Sequence, residues 1–161
     1  MIAAMVAPTV TATAPMYLED LTPGKTLTAG PVTVTQEDSI AFARQFDPQP
    51  FHTDAEAAKT SFFEGLAASG WHTAALSMKM LAESPLGRIA NGLVGIEIRQ
   101  MRWPRPTRPG DTLTMTVEVL ETRPSKSRPG FGTALLRWTT RNQQGEPVLE
   151  LENVAWVARR P

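Results

Sequence analysis

The sequence predicts an α+β fold in which one antiparallel β-sheet wraps around a long central α-helix. Three observations predict it. A helical period runs through "SGWHTAALSMKMLAES", from Ser69 to Ser84. A two-residue period takes over after Pro85 and persists along the rest of the chain. Between them, the order of elements is an early extended segment, then helices, then consecutive strands. That order leaves one sheet with one long helix to cover its face. A chain of 161 residues, 42% of them hydrophobic, suits a single domain with one core.

Residues 1–16, rich in Ala, Thr and Pro, read as a flexible tail ahead of a domain over residues 17–161. Pro23-Gly24 marks a turn, and "LTAGPVTV" reads as a short extended segment. In "TQEDSIAFARQF", Thr35 and Asp38 have capping-box spacing, and Glu37 and Asp38 stand where the helix dipole favours anions. Asp47-Pro48 ends that helix, because the residue before a proline is pushed out of the α region. "TDAEAAKTSFFEG" suits a short helix capped by Thr53 or Asp54 and broken at Gly65. Ser69 can cap the long helix, on which Trp71, Ala74, Ala75, Met78, Leu81 and Ala82 form one apolar face. This face is expected to be core or the wall of a ligand pocket. "LVGIEIRQMRW", "DTLTMTVEVLE", "GFGTALLRWTTRN" and "PVLELENVAWVARR" then alternate as strands, joined by turn-rich segments.

Lys and Arg number 16 and Asp and Glu 16, so the formal net charge is zero. This argues against a nucleic-acid partner, which needs a basic excess, and it eases self-association. The absence of cysteine excludes disulfides, thiolate metal sites and a cysteine nucleophile. With only two histidines, no metal site is expected. "MIAAMVAPTVTATAPM" lacks the basic region of a secretion signal, and no apolar run is long enough to span a membrane. A cytoplasmic protein without a membrane partner is expected.

The chemistry concentrates in "FDPQPFHTD". Asp47 and His52 sit on one proline-stiffened stretch, where a carboxylate and an imidazole can converge, hold a water and move a proton. Gly70 follows His52 by eighteen residues and opens the long helix. A helix N-terminus leaves N–H groups unpaired and carries partial positive charge, which suits a developing oxyanion.

"DPQPFHTDAEAA", "FFEGLAASGWHTAAL" and "WPRPTRPGDTLTMTVEVLE" together resemble the MaoC-like dehydratase family, which includes the (R)-specific enoyl-CoA hydratases. The resemblance runs from about Tyr17 to the last strand. It implies a hotdog fold, assembly as a homodimer or higher homo-oligomer, and an acyl-CoA or acyl-carrier thioester as substrate. Asp47 and His52 are implied to be the catalytic pair, with the Gly70 N–H in the oxyanion hole. No cofactor is implied, coenzyme A entering only as part of the substrate. Two positions depart from the family pattern, Gln49 for Asn and Ser69 for His. Both count with Trp71, His72 and Arg105 as expected substrate contacts. His72 reads first as a packing or capping residue and second as a pocket lining, and Arg102, Arg105 and Arg108 could equally be a solvated turn.

Two other readings stay open. A hotdog thioesterase would use a carboxylate on the central helix, where only Glu83 is available, near the far end. A non-catalytic acyl-CoA-binding protein would have its site eroded at Gln49 and Ser69.

Overall fold

The two-residue alternation builds a five-stranded sheet. The coordinates are a computed structural model and describe residues 14–161. Most of the expected tail therefore lies outside the described residues. Met16, assigned to that tail, instead forms an isolated parallel bridge with Ile89 and is buried in the core. The strands are β1 (Thr26–Thr33), β2 (Val94–Arg102), β3 (Thr112–Pro124), β4 (Phe131–Arg141) and β5 (Pro147–Ala158). The helices are α1 (Gln36–Phe46), α2 (Pro50–Thr53), α3 (Ala55–Ala58) and α4 (Gly70–Glu83). The sheet order is β1-β3-β4-β5-β2, and every neighbouring pair is antiparallel. With α4 against its inner face, this is the expected hotdog arrangement.

One face of the sheet supplies most of the core. Leu113, Met115, Val117 and Val119 alternate inward on β3, as Ala134 and Leu136 do on β4. Burying an aliphatic side chain of this size contributes about 1.5–3 kcal/mol, so these positions bind the sheet to what covers it. Thr35 caps α1 by accepting from the Asp38 N–H at 3.1 Å, as its spacing predicts.

The long helix has the predicted period but a different phase. Its buried side chains are His72, Thr73, Ser77, Met80 and Leu81. Trp71, Ala75, Met78 and Ala82, four of the six residues assigned to the inward face, are exposed. The inward face is polar because its hydroxyls are paired. Thr73 Oγ1 donates to Thr107 Oγ1 at 2.9 Å. Ser77 Oγ donates to the Thr73 carbonyl at 2.9 Å and lies 2.7 Å from Thr140 Oγ1. Having spent its proton on Thr73, Ser77 must accept from Thr140.

β2 is an edge strand, and the alternation that predicts it has no cover in the protomer. Val94, Ile96 and Ile98 are each about half exposed. They lie beside the outward apolar stripe of α4.

The hydroxyl pairing predicts a signature in stability. Ser77→Ala takes the acceptor from the buried Thr140 hydroxyl and should lower the unfolding free energy in urea by about 1–3 kcal/mol. Adding Thr140→Val removes the orphaned group and should recover part of that loss.

Candidate active site

Proline chemistry shapes the stretch that carries Asp47 and His52. α1 stops at Phe46, and the Asp47 N–H closes its last turn on the Ala43 carbonyl at 2.8 Å. Pro48 prevents continuation. Pro50 then opens a new single turn, α2, where its fixed φ and missing N–H cost nothing. His52 therefore rides on a short helix. Asp54 caps α3 through Oδ1, accepting from the N–H groups of Glu56 at 2.8 Å and Ala57 at 3.2 Å. Thr53 is no cap; its hydroxyl turns back to the Gln49 carbonyl at 3.1 Å.

His52 is buried, and its Nδ1 lies 2.7 Å from the Ala67 carbonyl oxygen. A carbonyl only accepts, so Nδ1 carries the proton. In the neutral ring Nε2 is then an unprotonated base. It stands 3.4 Å from Asp47 Oδ2. Phe51, edge-on at 4.6 Å, and Phe63, at 5.8 Å, flank the imidazole.

Asp47 is gripped at both oxygens. Ser69 Oγ donates to Oδ2 at 2.7 Å, and Gln49 Nε2 donates to Oδ1 at 2.6 Å. Partial burial pushes its pKa up, but the Ser69 and Gln49 hydrogen bonds, joined by the charge of His52 whenever that ring is protonated, hold it below the ordinary carboxylate value. The two departures from the family pattern thus both serve the carboxylate. Ser69 also accepts from the Trp71 N–H at 3.3 Å, capping α4 as predicted.

Gly70 is the first residue of α4, and its N–H has no hydrogen-bond partner among the described residues. Glycine at this position has a steric cause. A Cβ at this position would come 2.8 Å from the Trp103 ring. Trp103 Nε1 donates to the Gly70 carbonyl at 2.8 Å and holds the indole there.

A cavity of about 510 Å³ brings Asp47, His52, Gly70, Trp71 and Arg105 together, with Phe63, Trp103 and Thr107 among its other walls. Gln49 and Ser69 support it through Asp47. His72 does not line this cavity. Expected as a substrate contact, it is instead buried and stacked on Phe42 at 4.8 Å. Burial pushes its pKa down, against a smaller opposing pull from Asp38. Of the arginines, Arg102 pairs with Glu150 at 2.5 Å, and Arg105 lies 3.5 Å from Glu146. Arg108 points inward, onto backbone carbonyls. A second recess of about 460 Å³ lies between α4 and β2, lined by Trp71, Met78, Ile96 and Met101 among others, so Trp71 borders both spaces.

Residues 19–140 match the family described as MaoC like domain. The chain belongs to the MaoC-like domain family. Among MaoC-like relatives, a dehydratase from Rhodospirillum rubrum is 46% identical with a TM-score of 0.86, over 91% of this chain and 99% of that one. The Bacillus subtilis (strain 168) protein YdeM is 36% identical over 145 residues, covering 89% of this chain and 100% of its own. The unliganded R-hydratase PhaJ1 from Pseudomonas aeruginosa shares the fold, with a TM-score of 0.70 at 24% identity over 91% of this chain and 88% of that one.

Sequence reasoning did not assign Trp103, Phe63 or the Ala67 carbonyl to the site. Trp103 had a signal, an aromatic beside the "PRPTRPG" turn. The Ala67 carbonyl had none, because a backbone acceptor leaves no mark on residue identity.

Ser69→Ala should cost about 1 kcal/mol at neutral pH, as N-cap losses do. A depressed carboxylate pKa adds stability that is present above the ordinary carboxylate value and is lost as pH falls through the lowered one. Urea unfolding at stepped pH should therefore show the gap between Ser69→Ala and the parent narrowing in acid, as Asp47 protonates in both.

Proposed function

We propose that this protein is a hydro-lyase that adds water to a trans-2-enoyl thioester, or removes it from a 3-hydroxyacyl thioester. The observation that carries the reading is His52. Its Nδ1–H is committed to the Ala67 carbonyl, and its Nε2 is left as a free base beside an ionised Asp47, in one cavity with Gly70.

A water placed between Nε2 and the carboxylate meets an acceptor on each side. Asp47 is a weakened base, so the imidazole takes the proton while Asp47 orients the water and offsets the imidazolium charge. The water oxygen bonds to C3 as the C2–C3 π electrons move toward the thioester carbonyl. The Gly70 N–H and the α4 dipole stabilise the resulting enolate oxygen. The imidazolium then returns the proton to C2. Water supplies both the hydroxyl and the proton, and no electrons are gained or lost. Arg105, lining the cavity, suits a phosphate oxygen of a coenzyme A or acyl-carrier arm.

The thioesterase alternative has less support. Glu83 is exposed at the far end of α4, where it pairs with Lys79. Erosion of the site also has little support, because Gln49 and Ser69 each donate to Asp47.

We further infer a homodimer built on β2. An edge strand exposing Val94, Ile96 and Ile98 beside Trp71 and Met78 is a surface that another copy would cover.

Crotonyl-CoA should lose its conjugated enoyl absorbance when mixed with the protein. Asp47→Asn and His52→Ala should each slow this by about 10²–10⁴-fold, the usual contribution of a positioned acid–base group. Retained turnover in either variant would remove that residue from the mechanism. No turnover across short, long and branched enoyl thioesters, with binding intact, would reduce the protein to a binding role. In sedimentation, the parent should run as a dimer and Ile96→Lys as a monomer.

A further inference from the structure

Arg108 sits between β2 and β3 and has no carboxylate ion-pair partner among the described residues. Its guanidinium instead gathers backbone carbonyls. Nη1 donates to Gly65 at 3.0 Å and to Leu66 at 3.2 Å, and Nη2 donates to Phe63 at 2.5 Å. The planar fork suits this, because its N–H groups leave in fixed, divergent directions. The root of the side chain is fixed as well. The Arg108 N–H donates to Asp111 Oδ2 at 2.7 Å, and Gln143 Nε2 donates to Asp111 Oδ1 at 3.0 Å.

The segment under this clamp would not hold its shape unaided. Glu64 has φ 53° and Gly65 φ 154°, both in the left-handed region, and Glu64 lacks glycine's freedom there. Yet the segment delivers two groups to His52. Phe63 packs against the imidazole, and the next residue after the clamped stretch, Ala67, presents the carbonyl that accepts the Nδ1–H hydrogen bond. Beyond the clamp, the Ala67 N–H is tied to the Phe51 carbonyl at 3.2 Å and the Ala68 N–H to Thr107 at 2.8 Å.

We propose that Arg108 is a positioning residue. By locking the carbonyls of Phe63, Gly65 and Leu66, it sets the Ala67 carbonyl against His52 and holds the imidazole in its Nδ1–H tautomer, with Nε2 bare. The tautomer itself does not depend on the hydratase reading; only the kinetic consequence rests on it.

The chain's two histidines make the test direct. Nitrogen-15 imidazole spectra of the folded protein, taken where the rings are neutral, report each tautomer separately. His72, stacked on Phe42, is the internal control. In the parent, His52 should show a single Nδ1–H form with a slowly exchanging proton. In Arg108→Met, which keeps the stem, it should become a mixture while His72 stays unchanged. Arg108→Lys, with charge but no fork, should fall between. On crotonyl-CoA, kcat of Arg108→Met should drop by about tenfold, at or below the low end of what losing an acid–base group costs, with KM changing less. A His52 signature that is unchanged, or that moves together with His72, would overturn the proposal. If Arg108→Met does not fold, Arg108→Lys is judged by the same criterion. A parent with the expected tautomer but no turnover would sink the hydratase and leave the role of Arg108 standing.

Discussion

The site depends on one hydroxyl. Ser69 donates its proton to Asp47 and accepts the Trp71 N–H, so it ends the preceding segment, starts α4 and orients the carboxylate at once. It is fully buried, so water does not compete for either bond. A hydrogen bond to an ionised acceptor is shorter and stronger than a neutral one, and here it spans twenty-two residues of sequence. The position of α4 therefore sets the position of Asp47. Because Gly70 follows directly, the same bond fixes the carboxylate relative to the unpaired N–H at the head of the helix.

His52 is oriented from the opposite side, by backbone. Its base nitrogen is defined by what the other nitrogen touches, and that is a main-chain carbonyl on an irregular segment. The carboxylate is thus set by the helix and the imidazole by the loop, and the 3.4 Å between them is where the two supports meet. Each group is placed by the fold itself, which is what preorganisation requires. Trp103 adds a third support, holding the Gly70 peptide by its carbonyl while its ring occupies the space a side chain would need.

The α+β class, the strand positions and the trio of Asp47, His52 and Gly70 were legible because each rests on spacing along the chain. The phase of α4 was not. Its period placed the helix correctly, but Thr73 and Ser77 read as polar until their partners Thr107 and Thr140 are known, and those come from distant segments. A paired hydroxyl can be buried at little cost, which reverses the usual reading of an amphipathic stripe. His72 lies on the same buried face, and its packing role there, stacked on Phe42, was one of the two readings its place on the helix allowed. Arg108 looked like one of three similar arginines, and only its distance to carbonyls some forty residues earlier sets it apart.

That inversion bears on how the protein assembles. A helix that buries hydroxyls turns Trp71 and Met78 outward, next to an edge strand that does the same with Ile96 and Ile98. Neither surface is explained by the protomer core, yet both border the recess that shares Trp71 with the cavity of Asp47 and His52. If a second copy covers this face, as proposed, the apolar path beyond the cavity lies along the contact between copies. On the proposed hydratase reading, that path would face the contact between copies, while Asp47, His52 and Gly70 stay within one chain. The polar seating of α4 is what leaves both surfaces available, since Thr73 and Ser77 anchor the helix without using its apolar side.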